Sequence, residues 1–193
     1  MTTEIQKNYM IVSSIDSMEQ LMSCSIPEEK NIAAVVINTD AEFQINEAGK
    51  KYLEDSSFVT ILYSTDFSAF SAEFLMCFDI RLSDSDYFIT QEIFKEINTD
   101  RYRLLCGRTD TYRLISNFRS KNASDYRTKL VKKTEGIDSV KKYCETLFKD
   151  KSAFEINCIL RCLTAARTGN IKTVFRQESV NFYEMIRQKV QDS

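Results

Sequence analysis

The chain has 193 residues, of which 43% are hydrophobic and 28% charged, and its formal net charge is −2. This size and composition fit one globular domain with a sizeable core. Histidine is absent, which excludes Ser-His-Asp and Cys-His nucleophilic catalysis, zinc sites with histidine ligands and a histidine general base. Only four glycines are present, and no two are close in sequence, so a glycine-rich phosphate-binding loop is excluded as well.

Strand and helix signals alternate along the first half of the chain. The runs IAAVVI and FVTILY are continuous and apolar, as expected of strands that are buried on both faces. Such alternation predicts an α/β fold with mainly parallel strand pairing. In chain order, the predicted elements are strand Tyr9–Ser13, a helix capped by Asp16 and ending at Met22, strand Ile32–Ile37, helix Asn46–Glu54, strand Phe58–Tyr63, helix Phe70–Phe78, and short strands Ile80–Leu82 and Tyr87–Ile89.

The last third of the chain is predicted to form three consecutive helices with wide apolar faces, which is typical of contact with another subunit. The sequence therefore divides into a core, residues 1–137, and a helical oligomerisation region, residues 138–193. The helices are expected to run from a cap at Asp138 through Lys149, from a cap at Ser152 through Arg167 to a stop at Gly169, and onward from a cap at Asn170.

Charged residues are distributed unevenly. Residues 1–100 hold 18 acidic and 6 basic side chains, whereas residues 101–133 hold 10 basic and 2 acidic ones. The basic stretch has two interpretations: a solvated surface, or a binding site for a phosphorylated ligand or an acidic partner. Because the whole chain is acidic and has no nucleic-acid recognition motif, we do not expect it to bind nucleic acid.

The polar N-terminal segment, MTTEIQKNYM, lacks the basic and apolar regions of a signal peptide, and no apolar run is long enough to span a membrane. These features predict a cytoplasmic protein with no membrane association. The six cysteines contain no CxxC pair and lie among apolar residues. In a reducing compartment they are expected to act as small buried hydrophobic side chains.

The segment from Phe58 to Ile93 reads FVTILYSTDFSAFSAEFLMCFDIRLSDSDYFITQEI. It resembles the central signature of the crotonase (enoyl-CoA hydratase/isomerase) superfamily. That signature has an apolar strand, a glycine-rich turn, a helix that carries one acid and ends near Cys-Asp-[Ile/Leu], and a loop that carries a second acid. Glu73 matches the first acid and Glu92 the second, and the similarity continues more weakly through residues 103–131 and the three C-terminal helices.

The resemblance implies a crotonase-like spiral of ββα units with a helical C-terminal module that forms trimers. It also implies a site for an acyl thioester of coenzyme A or of an acyl carrier protein's phosphopantetheine, with no further cofactor and no metal. In family members that hydrate enoyl thioesters, two acids hold one water, and one acid takes its proton while the other protonates the α-carbon. Two backbone N–H groups polarise the thioester carbonyl.

Carried over to this chain, the resemblance assigns the acid and base roles to Glu73 and Glu92 and one oxyanion donor to the N–H of Phe70. It places substrate contacts at Ala69 and Ser71, which flank Phe70 in the turn. The basic stretch would hold phosphate through Arg101 and Arg103.

Glu73 is also notable without the family, because it is the one charge in an apolar stretch. Burial there would raise the pKa of its carboxyl toward the range of a useful acid. The alternative is a structural glutamate that is paired with an arginine or hydrogen-bonded to backbone.

Several departures from the family affect the oxyanion site. The glycine turn is replaced by Ala69-Phe70-Ser71, so a large side chain crowds the approach that glycine allows. The first oxyanion motif has no counterpart in residues 40–46, and Gln91 stands where the family has proline before the second acid. Losing one such donor costs about 2.7–4 kcal/mol of transition-state stabilisation.

Three hypotheses remain open. The first is a hydratase, dehydratase or decarboxylase that acts on an acyl-CoA or acyl-carrier-protein thioester in a biosynthetic pathway. The second is a catalytically impaired crotonase-like scaffold that binds and tunes a partner enzyme, either a full-length crotonase or a synthase. The expected assembly of the chain is a homotrimer or a hetero-oligomer with another crotonase-like protein. The third is an unrelated α/β binding module.

Overall fold

A computed structural model describes residues 1–24, 26, 31–119, 126–127, 130–167 and 171–191. The elements in these residues alternate between strands and helices over much of the chain, and three of the described helices follow the last strand. In chain order they are β1 (Thr2–Ile5), β2 (Tyr9–Ser13), α1 (Met18–Ser23), β3 (Ala34–Asn38), α2 (Glu47–Asp55), β4 (Val59–Ser64), α3 (Ala72–Met76), β5 (Ile80–Ser83), β6 (Phe88–Ile89), α4 (Gln91–Glu96), α5 (Thr99–Arg119), β7 (Tyr126–Arg127), β8 (Lys132–Lys133), α6 (Gly136–Leu147), α7 (Ala153–Arg167) and α8 (Ile171–Gln191).

The main sheet of the described chain has six strands in the order β1-β2-β3-β4-β5-β8. β1 is antiparallel to β2, and every later pair is parallel. Val36 of β3 lies opposite Ile11 of β2 and Ile61 of β4. β6 and β7 form a separate antiparallel pair. The predicted α/β fold with mainly parallel pairing is confirmed.

Both faces of the central strands are buried, because successive residues of a strand point to opposite sides. Val35 and Leu62 belong to the core that includes residues of α1, α2 and α3. Val36 and Ile61 belong to a second core, together with residues of α6 and α7 such as Val140. This two-sided burial explains why the two strands read as continuous apolar runs.

The predicted start of α1 is wrong by one residue. Ser17, not Asp16, is the N-cap, and its side chain accepts a hydrogen bond from the N–H of Gln20. The predicted helix over Phe70–Phe78 is also too long, because α3 has five residues and begins after its Ser71 cap. The exposed strand β1 was not predicted, since its TTEI sequence has no apolar run.

The C-terminal helices differ from expectation only at their ends. α6 begins at Gly136, so Asp138 lies in its first turn and does not cap it. Ser152 does cap α7: its hydroxyl accepts from the N–H of Glu155, whose carboxylate accepts from Ser152 in return. Gly169 and Asn170 lie outside the described residues. The division of the chain at residues 137 and 138 stays a prediction.

All six cysteines lie in the described chain, and they are free thiols. Cys144 and Cys158 are buried, whereas the other four are partly exposed. Burial raises the pKa of the Cys144 thiol to about 12, so this side chain acts as an apolar core residue, as expected. No helix in the described ranges is both long enough and apolar enough to cross a membrane.

A buried ion pair joins the end of α7 to the residues that immediately precede β4 and β5. The guanidinium of Arg167 binds both carboxylate oxygens of Asp79, at 3.0 and 2.6 Å, and also donates to the carbonyls of Ser56 and Phe58. Thr60 donates to the same carboxylate through its N–H and its hydroxyl, at 2.8 and 2.7 Å. These contacts, here called the Asp79–Arg167 clamp, connect residues that are 88 positions apart.

A second contact, which is partly buried, lies at the other end of β4. The hydroxyl of Tyr63 donates to Asp84 at 3.1 Å, and the other oxygen of Asp84 accepts from the N–H of Gly136 at 2.8 Å. Burial, with the Asp84 hydrogen bond and charge as further causes, raises the pKa of Tyr63 to about 12.

We expect alkaline pH to weaken the fold through Tyr63. Its pKa is higher in the folded chain than the value near 10 of an exposed tyrosine, so its contribution to stability is complete below about pH 10 and is lost as the pH rises toward 12. The urea midpoint of the wild type should therefore fall between pH 9 and 11. Tyr63→Phe should start from a lower midpoint at pH 9 and fall less, and an equal fall in both proteins would contradict this role.

Candidate active site

The predicted site is built around the N-terminus of α3, which follows the carboxyl end of β4. Ser71 caps this short helix, and its hydroxyl accepts from the N–H of Phe74 at 3.2 Å. Ala69 is exposed, Phe70 is buried and Ser71 is half-buried. The sequence positions that the resemblance assigned to the oxyanion turn therefore do precede a helix that carries Glu73.

The carboxylate of Glu42 lies at the N-terminus of α3. One of its carboxylate oxygens accepts from the N–H of Ser71 at 2.7 Å, and the other accepts from the Ser71 hydroxyl at 2.9 Å. Sequence analysis missed this residue, because Glu42 lies 29 positions before Ser71 and no local pattern joins them. A carboxylate of this chain thus engages the N–H of the residue that follows the predicted oxyanion donor, Phe70.

The backbone N–H of Phe70 is also hydrogen-bonded within the chain. Its N–H donates to the carbonyl of Phe67 at 3.0 Å, so the predicted oxyanion donor requires this turn hydrogen bond to break. Its ring packs in an aromatic row with neighbouring ring centroids 5.0–5.6 Å apart. The row consists of Phe43, Phe67, Phe70, Phe74 and Phe78.

The expected burial of Glu73 is wrong, because its side chain is 70% exposed. The neighbours Ala72 and Phe74 point into the core, and on so short a helix this turns Glu73 outward. Its carboxylate lies 3.9 Å from the ammonium group of Lys50, which also pairs with Glu47 at 3.4 Å. The hydrogen bond to Glu47 is the main cause that raises the pKa of Lys50.

Two cavities meet at Lys50 and Glu73. The larger, of about 390 Å³, has apolar walls from Leu53, Met76 and Ile97. The smaller, of about 200 Å³, includes Glu42 and Ser71 in its lining, together with Lys50 and Glu73. The surface around Glu73 is therefore a pair of clefts lined by one cation, Lys50, and three carboxylates, those of Glu42, Glu54 and Glu73.

The remaining predicted residues are not brought together with Glu73 by described contacts. Glu92 lies in the first turn of α4, which packs beside α3, but its side chain and that of Arg101 are outside the described residues. Arg103 is exposed and lines a separate cavity with Arg108 and Tyr112. A shared water between Glu73 and Glu92, and phosphate binding by Arg101 and Arg103, stay predictions.

No protein-family model matches the sequence, and neither does any curated protein. Solved structures do match. An enoyl-CoA hydratase from Thermoplasma volcanium GSS1 is 14% identical, with a TM-score of 0.56 over 96% of this chain and 92% of that one. A protein from Rhodopseudomonas palustris CGA009 that is assigned as an enoyl-CoA hydratase is 11% identical, with a TM-score of 0.57 over 97% of this chain and 89% of that one.

The chain therefore has a crotonase-like fold, as the sequence resemblance predicted. At this level of identity the similarity extends to the fold and leaves the reaction open. It does not support the hypothesis of a different α/β fold. Within the described residues, no group of three or more Cys, Asp or Glu side chains is placed to bind a metal ion.

Proposed function

We propose that this protein is a crotonase-like scaffold whose hydratase site is closed, and that it acts by assembling with a catalytically complete crotonase-like enzyme or synthase. The observation that carries the proposal is the contact of Glu42 with Ser71 at the start of α3. Thioester chemistry of this class requires backbone donors that face a developing negative charge. A carboxylate beside the predicted oxyanion turn occupies the Ser71 N–H and repels a second anion.

The surroundings of Ser71 support the same proposal. The N–H of Phe70 is used within its own turn, and the aromatic row fills apolar space beside α3. Each missing oxyanion donor costs about 2.7–4 kcal/mol, or a factor of about 10²–10³ in rate. With the Phe70 N–H engaged and no counterpart of the first oxyanion motif in residues 40–46, residual hydration of an enoyl thioester is expected to be close to background.

The proposal is tested by hydration of crotonyl-CoA and dehydration of 3-hydroxyacyl thioesters. We expect the wild type to be no faster than the double variant Glu73→Gln, Glu92→Gln. Glu47→Gln is the matched control, because Glu47 also pairs with Lys50 but lines neither cleft. A wild type that is at least tenfold faster than the double variant, with Glu47→Gln unchanged, would show an enzyme and disprove the scaffold.

A second candidate is an acyl-thioester enzyme in which Glu42 moves away when substrate binds. It is favoured by the 390 Å³ cleft, whose apolar walls and Lys50–Glu73 pair could hold an acyl thioester of coenzyme A or of an acyl carrier protein. Under this candidate, Glu73→Gln lowers the rate by about 10²–10⁴, and Glu42→Ala raises it by freeing Ser71. Under the scaffold proposal, both variants stay at background.

A further inference from the structure

A cavity of about 540 Å³ lies at the amino end of the central strands. Asn8 directly precedes β2, Ala33 directly precedes β3 and Phe58 directly precedes β4, and all three line the cavity. The first turn of α7, which begins at Ala153, forms the facing wall. This space, here called the amino-edge cavity, shares no lining residue with the two clefts at Lys50.

The floor of the amino-edge cavity is apolar. Ile32 and Phe58 belong to the core on one face of the sheet, and Leu160 belongs to the core on the other face. These three side chains are buried, and the half-buried Ile156 lies beside Leu160 in the lining. Protein sites for small molecules have volumes of about 300–1,000 Å³ and combine such apolar walls with a few polar groups. The cavity therefore has the size and the floor of a small-molecule site.

The rim of the amino-edge cavity is polar and carries two cations, Lys7 and Lys151. The side-chain amides of Asn8, Asn31 and Asn157 also line it. Within the described part of the chain, no carboxylate pairs with either lysine, and no side-chain hydrogen bond engages the three amides. Two ammonium groups and three amides are therefore available to a ligand as hydrogen-bond donors.

The charge of the lining selects for an anion. Among the described residues that line the amino-edge cavity there is no aspartate or glutamate. The clefts at Lys50 have the opposite balance, with one cation and three carboxylates. Moreover, residues 1–100 hold 18 acidic and only 6 basic side chains, of which Lys7 is one. A small anion is thus repelled by the clefts and attracted to the amino-edge cavity.

We propose that the amino-edge cavity binds a small monocarboxylate with an aliphatic chain. The carboxylate accepts charge-assisted hydrogen bonds at the lysine rim, and the aliphatic chain packs on Ile32, Phe58 and Leu160. The site is separate from the proposed function, because it uses no residue of either cleft. Failure of the hydratase test would leave it standing, and its own failure would leave the hydratase test unaffected.

The experiment is a titration of the full chain with octanoate, followed by NMR of the ¹⁵N-labelled protein. We expect saturable binding of one octanoate for each chain, with the largest shifts at the side-chain amides of Asn8, Asn31 and Asn157. Butanoate should bind at least about tenfold more weakly, since each buried methylene group contributes a factor of about four. Octylammonium, which has the same chain and the opposite charge, should not bind.

Variants of the rim test the role of charge. Lys7→Met and Lys151→Met should each raise the dissociation constant about 2–5-fold, as expected of exposed ion pairs, and the double variant about tenfold. Lys149→Met is the matched control, because Lys149 is an exposed lysine two positions from Lys151 and outside the lining. It should bind octanoate like the wild type.

A steric variant tests the cavity itself. Ala153→Trp places a large ring at an exposed position of the lining, so it should abolish binding without a change in the core, and circular dichroism verifies its fold. The proposal is overturned by a wild type that does not bind octanoate at about 10 mM, by octylammonium that binds equally well, or by shifts confined to the clefts. Equal effects of Lys149→Met and Lys151→Met, or full binding by Ala153→Trp, also overturn it.

Discussion

Replacement of Arg167 by alanine is expected to lower the free energy of unfolding by about 3–5 kcal/mol. The Asp79–Arg167 clamp is 10% and 5% exposed at its two side chains, so the variant leaves a buried carboxylate without its counter-ion. It also leaves the carbonyls of Ser56 and Phe58 without the donors that Arg167 supplies. Urea unfolding followed by circular dichroism measures the loss.

Arg161→Ala is the matched control for the clamp. Arg161 lies on the same helix and its pair with Glu184 is equally short, at 2.7 Å, but the two side chains are 42% and 41% exposed. Exposed pairs contribute about 0–1 kcal/mol, so this variant should unfold near the wild-type midpoint. Similar losses in the two variants would mean that burial does not govern the strength of the clamp.

Gly49→Ala is expected to lower the free energy of unfolding by about 1–3 kcal/mol, as overpacking of a filled core does. A Cβ at this position would lie 2.4 Å from Cγ and 3.1 Å from Sδ of Met18. Met18 is fully buried, so its side chain can move only by displacing its neighbours in the core. The steric cost exceeds the gain of about 1 kcal/mol that alanine brings to a helix interior.

A double-mutant cycle isolates this contact. In the background of Met18→Ala, which removes both close atoms, Gly49→Ala should become neutral or stabilising, because helix propensity alone remains. Lys51→Ala, at an exposed position of the same helix, shows the effect of alanine without a clash. A loss from Gly49→Ala that is the same in both backgrounds would place its cause elsewhere.

Gly49 sets the distance between α1 and α2, and α2 carries Lys50 to the edge of both clefts. The clamp holds Asp79 at the end of the segment that follows α3. Changes at these positions are therefore expected to alter the clefts through the scaffold, without contact with a ligand.

Much of the fold was predictable from short windows of sequence. Strand β2 was predicted with its observed ends, β3 and β4 were displaced by one or two residues, and Ser152 was recognised as a cap. These elements are specified locally, because a continuous apolar run or a capping residue acts within a few positions of itself. The order of such elements predicted the α/β class, and the resemblance of the segment between Phe58 and Ile93 to the crotonase superfamily implied the crotonase-like fold, which the solved structures support.

The candidate site was less predictable, because its decisive contacts join distant positions. Glu42 and Ser71 are 29 residues apart, and no pattern in the sequence around either residue predicts their contact. The resemblance located the turn and the acid at Glu73, but it could not predict that the Glu42 carboxylate accepts a hydrogen bond from the Ser71 N–H. Side chains meet there because β3 and β4 are adjacent and parallel, so the segments that leave them arrive at one edge.

Composition and local pattern alone excluded histidine chemistry and glycine-rich phosphate loops, and they established an α/β chain with a helical end. They could not tell which charges are buried. Glu73 lies in an apolar stretch of sequence, yet its side chain is exposed. Arg167 is the last residue of α7, and its side chain is buried in an ion pair with Asp79. The reason is physical: whether a charge is buried depends on which distant segments pack around it and supply its partner.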